Sequence, residues 1–229
     1  MIITIDGPSA SGKTSIARML AQQLNFYYIS SGMLFRGLAY ILVHEFRYTP
    51  DKLLHTRFED VQRALDPQRL IYEYDKENAE QLFFDGVNIS NQLRDKKITE
   101  YASILATQEV VRDALVQLQH RIANQHNIIA EGRDTGSIIF PQAAVKFYLT
   151  ASLTVRAQRW YSDQKTKGRE LSLETAHAEV QKRDERDMNR AIAPLVIPQK
   201  AVIVDDSNLS KEQVITLMLE HIKSANQNR

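Results

Sequence analysis

Gly7 and Gly12 stand on either side of Pro8-Ser9-Ala10-Ser11, and Lys13-Thr14-Ser15 follows at once. This is the G-x-x-x-x-G-K-[ST] spacing of a phosphate-cradling loop. Its backbone N–H groups converge on an anion, the lysine reaches the terminal phosphates, and the next hydroxyl ligates Mg2+. The run from Gly7 to Ser15 is therefore the candidate site for a nucleoside triphosphate such as ATP. Lys13 is its catalytic cation and Thr14 its Mg2+ ligand. As a loop residue, Lys13 is expected to be exposed, so its loss should impair turnover and leave stability nearly unchanged.

Other chemistry-bearing residues also follow apolar runs. Ser30-Ser31-Gly32 leads to Arg36, one helical turn beyond the carboxyl end of a predicted strand, where α/β sheets bind ligands. Glu131, Arg133 and Asp134 sit in "AEGRDTG", residues 130–136, at the end of another such run. Further on, Arg156, Arg159, Lys165, Lys167 and Arg169 surround Gly168, and "KRDERDMNR" occupies 182–190. Read plainly, that run is a solvated helix with ion pairs such as Arg183–Asp187 and Asp187–Arg190. At 100° per residue, however, Arg183, Asp187 and Arg190 project within about 60° of one another. Two permanent cations around a carboxylate suit a phosphate and a sugar hydroxyl held side by side. Phosphoryl transfer needs this inventory, because its transition state requires in-line positioning and neutralised oxygens. A phosphate acceptor is already an anionic nucleophile, so no general base is called for.

The elements that must position these residues can be read from hydrophobic periodicity. Ile2–Ile5, Phe26–Ile29, Ile128–Ala130, Val145–Leu149 and Ala201–Val204 read as five short buried strands separated by helical patterns. Together they predict an α/β fold, a parallel sheet covered by helices on both faces. Ile16, Met19, Leu20 and Leu24 recur at helical spacing, so Lys13 and Thr14 open a helix. The gap between the second and third strands far exceeds one crossover and predicts an inserted module. Within it, Leu70–Tyr74, Leu82–Phe84 and Val87–Ile89 read as strands, with Asp85-Gly86 as a hairpin turn. A helix follows with Val111, Leu115, Leu118 and Ile122 on one stripe. Ser210 and Gln213 form a capping box ahead of the last helix, and the terminal "SANQNR" is expected to fray.

The whole chain limits the functional classes. Its 229 residues suffice for a full core, and 29 basic against 28 acidic residues leave a net charge of +1. That balance gives no general pull toward nucleic acid or an anionic membrane. Having no cysteine, the chain makes neither disulfides nor thiolate metal sites, and its six histidines include no i,i+4 pair. No apolar run approaches the ~20 residues of a membrane helix, and the first strand begins too early for a signal peptide. A cytoplasmic protein with small-molecule substrates is expected. The guanine-reading Asn-Lys-x-Asp of switch GTPases and their Asp-x-x-Gly are absent. A kinase of another small acceptor and a non-catalytic nucleotide-binding regulator are the alternatives. Shikimate-type kinases place Asp-x-Asp after the second strand, where this chain has Ile29-Ser30-Ser31.

Taken together, "IDGPSASGKTSIARMLA", "SSGMLFRGLA", "DGVNISNQLR", "GRDTGSIIFPQAAVKFYL" and "RDERDMNRAIAPL" resemble the bacterial cytidylate kinases. The resemblance implies a monomer with a five-stranded parallel P-loop kinase core, an NMP-binding α/β insertion and a lid. In this numbering the core would be about 1–36, 104–155 and 191–229, the insertion about 37–103, and the lid with its following helix about 156–190. The implied activity is Mg-assisted transfer of the γ-phosphoryl group of ATP to CMP and dCMP. Residue by residue, the resemblance puts Lys13 and Thr14 in the Mg2+–ATP site and Arg156 and Arg159 with ATP. Ser31, Arg36, Arg133 and Arg190 would surround the acceptor phosphate, the three arginines acting with Lys13 as catalytic cations. Arg183 and Asp187 would contact the ribose, and Ser103, Arg112 and Asp134 the cytosine. Three positions depart from the family's usual pattern: Ser30 replaces Asp, Phe35 replaces Tyr, and Glu131 replaces Asp.

Overall fold

The structure, a computed structural model, describes residues 1–75, 77 and 79–227. The elements begin with β1 (Ile2–Asp6), α1 (Lys13–Leu24), β2 (Tyr27–Ser30) and α2 (Ser31–His44). Next come α3 (Pro50–Leu53), α4 (Phe58–Ala64), β3 (Leu70–Asp75), β4 (Ala79–Phe84) and β5 (Val87–Asn88). After these lie α5 (Lys96–Leu105), α6 (Glu109–Ala123), β6 (Ile128–Gly132) and β7 (Val145–Thr150). The chain finishes with α7 (Leu153–Thr166), α8 (Leu173–Asn189), β8 (Val202–Asp205) and α9 (Lys211–Gln227). It divides into two compact units, Met1–Asn25 with Ile129–Arg229, and Phe26–Ile128.

A five-stranded parallel sheet runs in the order β2-β6-β1-β7-β8, with Ile3 opposite Val145 and Phe147 opposite Val202. These strands are the five apolar runs of the sequence. β1 is buried on both faces, Ile3 and Ile5 no more than Thr4 and Asp6, as expected of a strand covered on both sides. α1 buries Ile16, Ala17, Leu20 and Ala21, and stops where Asn25 turns left-handed and donates its N–H to Ala21 and Gln22 carbonyls. In α9 the capping box forms as expected: Ser210 N–H donates to Gln213 Oε1 at 2.8 Å, and Gln213 N–H to Ser210 Oγ at 3.3 Å. The helix then continues through Gln227 rather than fraying at Ser224, and residues 228 and 229 lie outside the described residues. Among the described residues no helix is long and apolar enough to cross a membrane.

The second unit holds the antiparallel sheet β3-β4-β5. Asp85 and Gly86 take φ of 47° and 78°, the paired left-handed conformations of a type I′ hairpin turn. Against this unit's long helix α2 pack α4, α5 and α6. A Cβ on Gly37 would lie 2.1 Å from Leu82 Cδ2, so a glycine lets the helix approach the sheet.

Candidate active site

β1 delivers the chain to Gly7, where φ is 152° and a Cβ would lie 2.0 Å from the carbonyl oxygen of Leu149. Only glycine fits there. Ala10 and Gly12 take φ of 58° and 83°, the alternation that turns successive N–H groups toward an anion. Gly12 caps α1 without a side-chain hydrogen bond, and the helix has no acidic residue in its first turn. Its N–H groups and positive dipole end therefore suit a phosphate.

Lys13 is not the exposed residue expected from its place in a loop. It opens α1, is 5% exposed, and donates to Pro8 O at 2.6 Å and Ser11 Oγ at 3.2 Å. Burial, with the Arg133 charge beside it, pushes its pKa down to about 7, while Glu131, Asp6 and Asp187 oppose the shift. Thr14 Oγ1 donates to Glu131 Oε1 at 3.4 Å, which puts a hydroxyl and a carboxylate side by side at the loop.

Ser9 is gripped from three directions. Its N–H donates to Asp184 Oδ1 at 2.8 Å, its carbonyl accepts from Arg156 Nη1 at 3.0 Å, and its Oγ accepts from Arg133 Nη2 at 3.2 Å. Arg156 also pairs with Asp184 and donates Nε–H to Ala151 O at 2.9 Å. Arg133 Nε lies 2.8 Å from Asp187 Oδ2. Burial opposes both charges of that pair, yet their mutual attraction wins, so Arg133 is raised and Asp187 held below the usual carboxylate range. Arg159 places Nη1 at 2.9 and 3.1 Å from the two Asp206 oxygens, next to Gly12.

Arg190 corrects the helical-wheel reading. Arg183 and Asp187 share α8, but that helix ends at Asn189, and Arg190 is extended with φ −65° and ψ 140°. Leu195 N–H takes the Asp187 carbonyl at 2.8 Å, folding the chain back on the helix end. The Arg190 side chain runs to Asp134 Oδ1, with Nη2 at 3.2 Å, and its Nε–H donates to Ala193 O. A buried partner 56 residues away in sequence decides its position, which no wheel can register.

In the second unit, Ser31 opens α2 and Arg36 follows one turn later, with Nη1 3.2 Å from where a Cβ on Gly32 would lie. Arg112, on α6, is buried, with its guanidinium 5.8 Å above the Phe35 ring and Nη1 donating to Ala106 O at 3.4 Å. Ser103 lies on α5, which packs on α2, and its Oγ donates to Thr99 O at 3.0 Å. Thus Lys13, Thr14, Arg133, Asp134, Arg156, Arg159, Arg183, Asp187 and Arg190 belong to the first unit. Ser31, Arg36, Ser103 and Arg112 belong to the second.

A family model described as cytidylate kinase matches residues 3–224. The chain belongs to the cytidylate kinase family. Cytidylate kinase from Thermodesulfovibrio yellowstonii is 37% identical over 96% of this chain and 97% of its own length. That of Chlamydia felis is 41% identical, covering 96% of both. A solved structure of an uncharacterized protein from Eubacterium ventriosum shares the fold, with a TM-score of 0.55 at 12% identity over 98% of this chain and 99% of that one. As a cytidylate kinase family member the chain is a phosphotransferase, and the departures from the family's usual residues acquire a physical reading. Ser30 is the N-cap of α2, its Oγ accepting from Met33 N–H at 3.3 Å, a duty Ser and Asp perform about equally well. Glu131 still reaches Thr14 with its longer side chain. Phe35 offers Arg112 a ring face without a hydroxyl.

Among the residues of this site not singled out from the sequence are Asp6, Asp184 and Asp206, the partner of Arg159. Asp6, at the end of β1, accepts from Thr135 N–H and Oγ1 at 2.8 Å and from Gly136 N–H at 2.7 Å, fixing the turn that carries Arg133 and Asp134. Burial pushes its pKa up to about 6, against those hydrogen bonds. Asp184, on α8, holds Ser9. The sequence signal for Asp6 was its place between a β-branched strand and the loop glycine. For Asp184, within a charged run, there was none.

Proposed function

We propose that the chain transfers the γ-phosphoryl group of ATP to CMP and dCMP, forming ADP and the cytidine diphosphate. The observation that supports this reading is the gathering of Lys13 and the Arg133–Asp187 pair about a loop whose backbone suits an anion. ATP places its phosphates against the loop from Gly7 to Ser15, with Arg159 beside Gly12. Lys13 neutralises charge on the γ-phosphoryl group, whose own negative charge restores the proton that burial disfavours. Arg36, Arg133 and Arg190, with Ser31, hold the acceptor phosphate so that its oxygen approaches the γ-phosphorus in line with the departing ADP oxygen. Arg183 and Asp187 take the sugar hydroxyls, while Asp134, Arg112 and Ser103 read cytosine.

Thr14 and Glu131 form a pair of hard oxygen donors, the kind that fits Mg2+ when substrate phosphates complete its shell. Held by Thr14 and Glu131, Mg2+ would supply positive charge that neutralises the charge of the transferring phosphoryl group. The α7–α8 hairpin is proposed as the lid that excludes water from the transferring group. The protein is proposed to act as a cytoplasmic monomer without nucleic-acid or membrane partners. A coupled assay with ATP, Mg2+ and each nucleoside monophosphate tests the reading. CMP and dCMP should be turned over well and AMP and GMP hardly at all; equal use of all four, or no turnover of any, refutes it.

A further inference from the structure

Ser9 belongs to the loop proposed to hold ATP, yet every polar group it owns is held by a residue from outside that loop. Asp184 on α8 takes its N–H, Arg156 on α7 its carbonyl, and Arg133 after β6 its hydroxyl. Asp184 is 6% exposed and Arg156 7%, and they pair with each other, so the loop peptide is bound to a desolvated ion pair. The other end of this network reaches the residues proposed for the acceptor. Asp187 lies one turn along α8 from Asp184, and its partner Arg133 is the same arginine that holds Ser9 Oγ.

We infer that Asp184 and Arg156 are positioning residues that couple donor binding to acceptor binding through the Ser9 peptide. The inference rests on the CMP kinase reading of the site. The acceptor draws Arg133 toward its phosphate and Asp187 toward its sugar, which alters the 2.8 Å contact between them and the Arg133 hold on Ser9. The donor requires Ser9 and its loop in one fixed arrangement. Whichever nucleotide enters first bears the free energy of rearranging this shared network, and the second binds without it. Coupling is therefore positive and reciprocal, the donor tightening CMP by the same factor as CMP tightens the donor. Asp184 and Arg156 touch neither nucleotide in this scheme; Arg156, which the family resemblance places with ATP, is instead assigned to the Ser9 carbonyl and Asp184. They transmit by keeping the loop peptide tied to the two helices.

Isothermal titration calorimetry on the full chain reads the coupling directly. CMP is titrated alone and with a saturating, non-hydrolysable ATP analogue plus Mg2+, and the analogue is titrated with and without CMP. In the wild type each should tighten the other by about fivefold or more, within the usual range of coupling between sites. In Asp184→Asn the factor should fall to within about twofold of unity, because the amide can still accept from Ser9 but no longer supplies the carboxylate charge that ties Arg156 to the same peptide. Ser9→Ala removes only the hydroxyl facing Arg133 and leaves both backbone links, so it decides the matter should the buried Asn variant fail to fold. It should retain less than half of the wild-type factor. A residue that merely supported the fold would lower the melting temperature and leave this factor unchanged. Wild-type binding of both nucleotides without coupling, or either folded variant keeping the full factor, overturns the inference alone. A wild type that binds neither nucleotide removes the functional reading and this inference with it.

Discussion

A carboxylate offers about four lone-pair directions, and in Asp134 one oxygen already accepts from Arg190 Nη2 at 3.2 Å. That pairing orients the group, whose carboxylate is proposed to accept from the N4 amino group of cytosine. Uracil would present an O4 lone pair there instead, leaving two acceptors face to face. Sites that hydrogen-bond their ligand discriminate far better than apolar pockets, commonly by ~100-fold or more, because the wrong ligand leaves buried polar groups unpaired. CMP should accordingly be preferred over UMP by at least ~100-fold in kcat/KM. Asp134→Asn supplies an amide that can donate to O4 as well as accept from N4, so the ratio should shrink to about 10 or less, chiefly through loss on CMP. Steady-state kinetics with both nucleotides and both proteins checks this. Comparable use of UMP by the wild type, or an undiminished ratio in the variant, would refute Asp134 as the base reader.

At the scale of elements, the α7–α8 hairpin has a fixed base and an exposed tip. Arg156 and Asp184 bind the base to the phosphate loop, while residues 165–170 are exposed and Gly168 turns with φ 73° with nothing near its missing side chain. Lys167 pairs with Asp163, and Arg169 donates to Gln164 at 2.7 Å, and both contacts are local to the tip. Motion of the proposed lid should therefore be confined to the tip, because opening there breaks few buried contacts. Hydrogen exchange of amides 165–172 should slow on adding CMP with the ATP analogue, whereas 153–160 should change little. Slowing across the whole hairpin would show that the base moves too, and no slowing at the tip would leave it an ordinary charged turn. The end of the second helix was legible in the sequence as a charged run with ion-pair spacing, and the first only as a basic stretch. The anchoring was not, since Asp184 meets Ser9 across 175 residues of chain. The same limit misplaced Arg190, whereas the caps at Ser30 and Ser210 depend on partners three residues away.

For the molecule as a whole, the five strands and the phosphate loop were readable because each is a local pattern. What surrounds Lys13 was not, because it comes from Asp6, Glu131, Arg133 and Asp187, far apart in sequence. Those neighbours and the burial they share turn a residue expected to be neutral for stability into one that opposes folding. The sign follows from linkage: Lys13 has its pKa depressed from 10.5 to about 7, so the unfolded chain binds the extra proton between those values. Its favourable contribution is complete above 10.5 and is lost as the pH falls through 7. Asp6 acts in the opposite direction, its contribution complete below the usual 3.8 and lost as the pH rises through about 6. Between pH 6 and 7 the fold carries both unfavourable terms, the expected strain of a site made ready for phosphate charge. Lys13→Met keeps most of the stem's volume and removes the charge, along with the hydrogen bonds to Pro8 and Ser11. At about 1.4 kcal/mol per pKa unit, offset by those lost bonds, the variant should be more stable than wild type by ~1–3 kcal/mol at pH 6.5. The difference should narrow steadily up to pH 9.5, while turnover falls by orders of magnitude throughout. Urea denaturation of both proteins across that range, without nucleotide, gives the curve. A variant no more stable at pH 6.5, or a difference that does not shrink with rising pH, would mean that Lys13 keeps its ordinary pKa inside the fold.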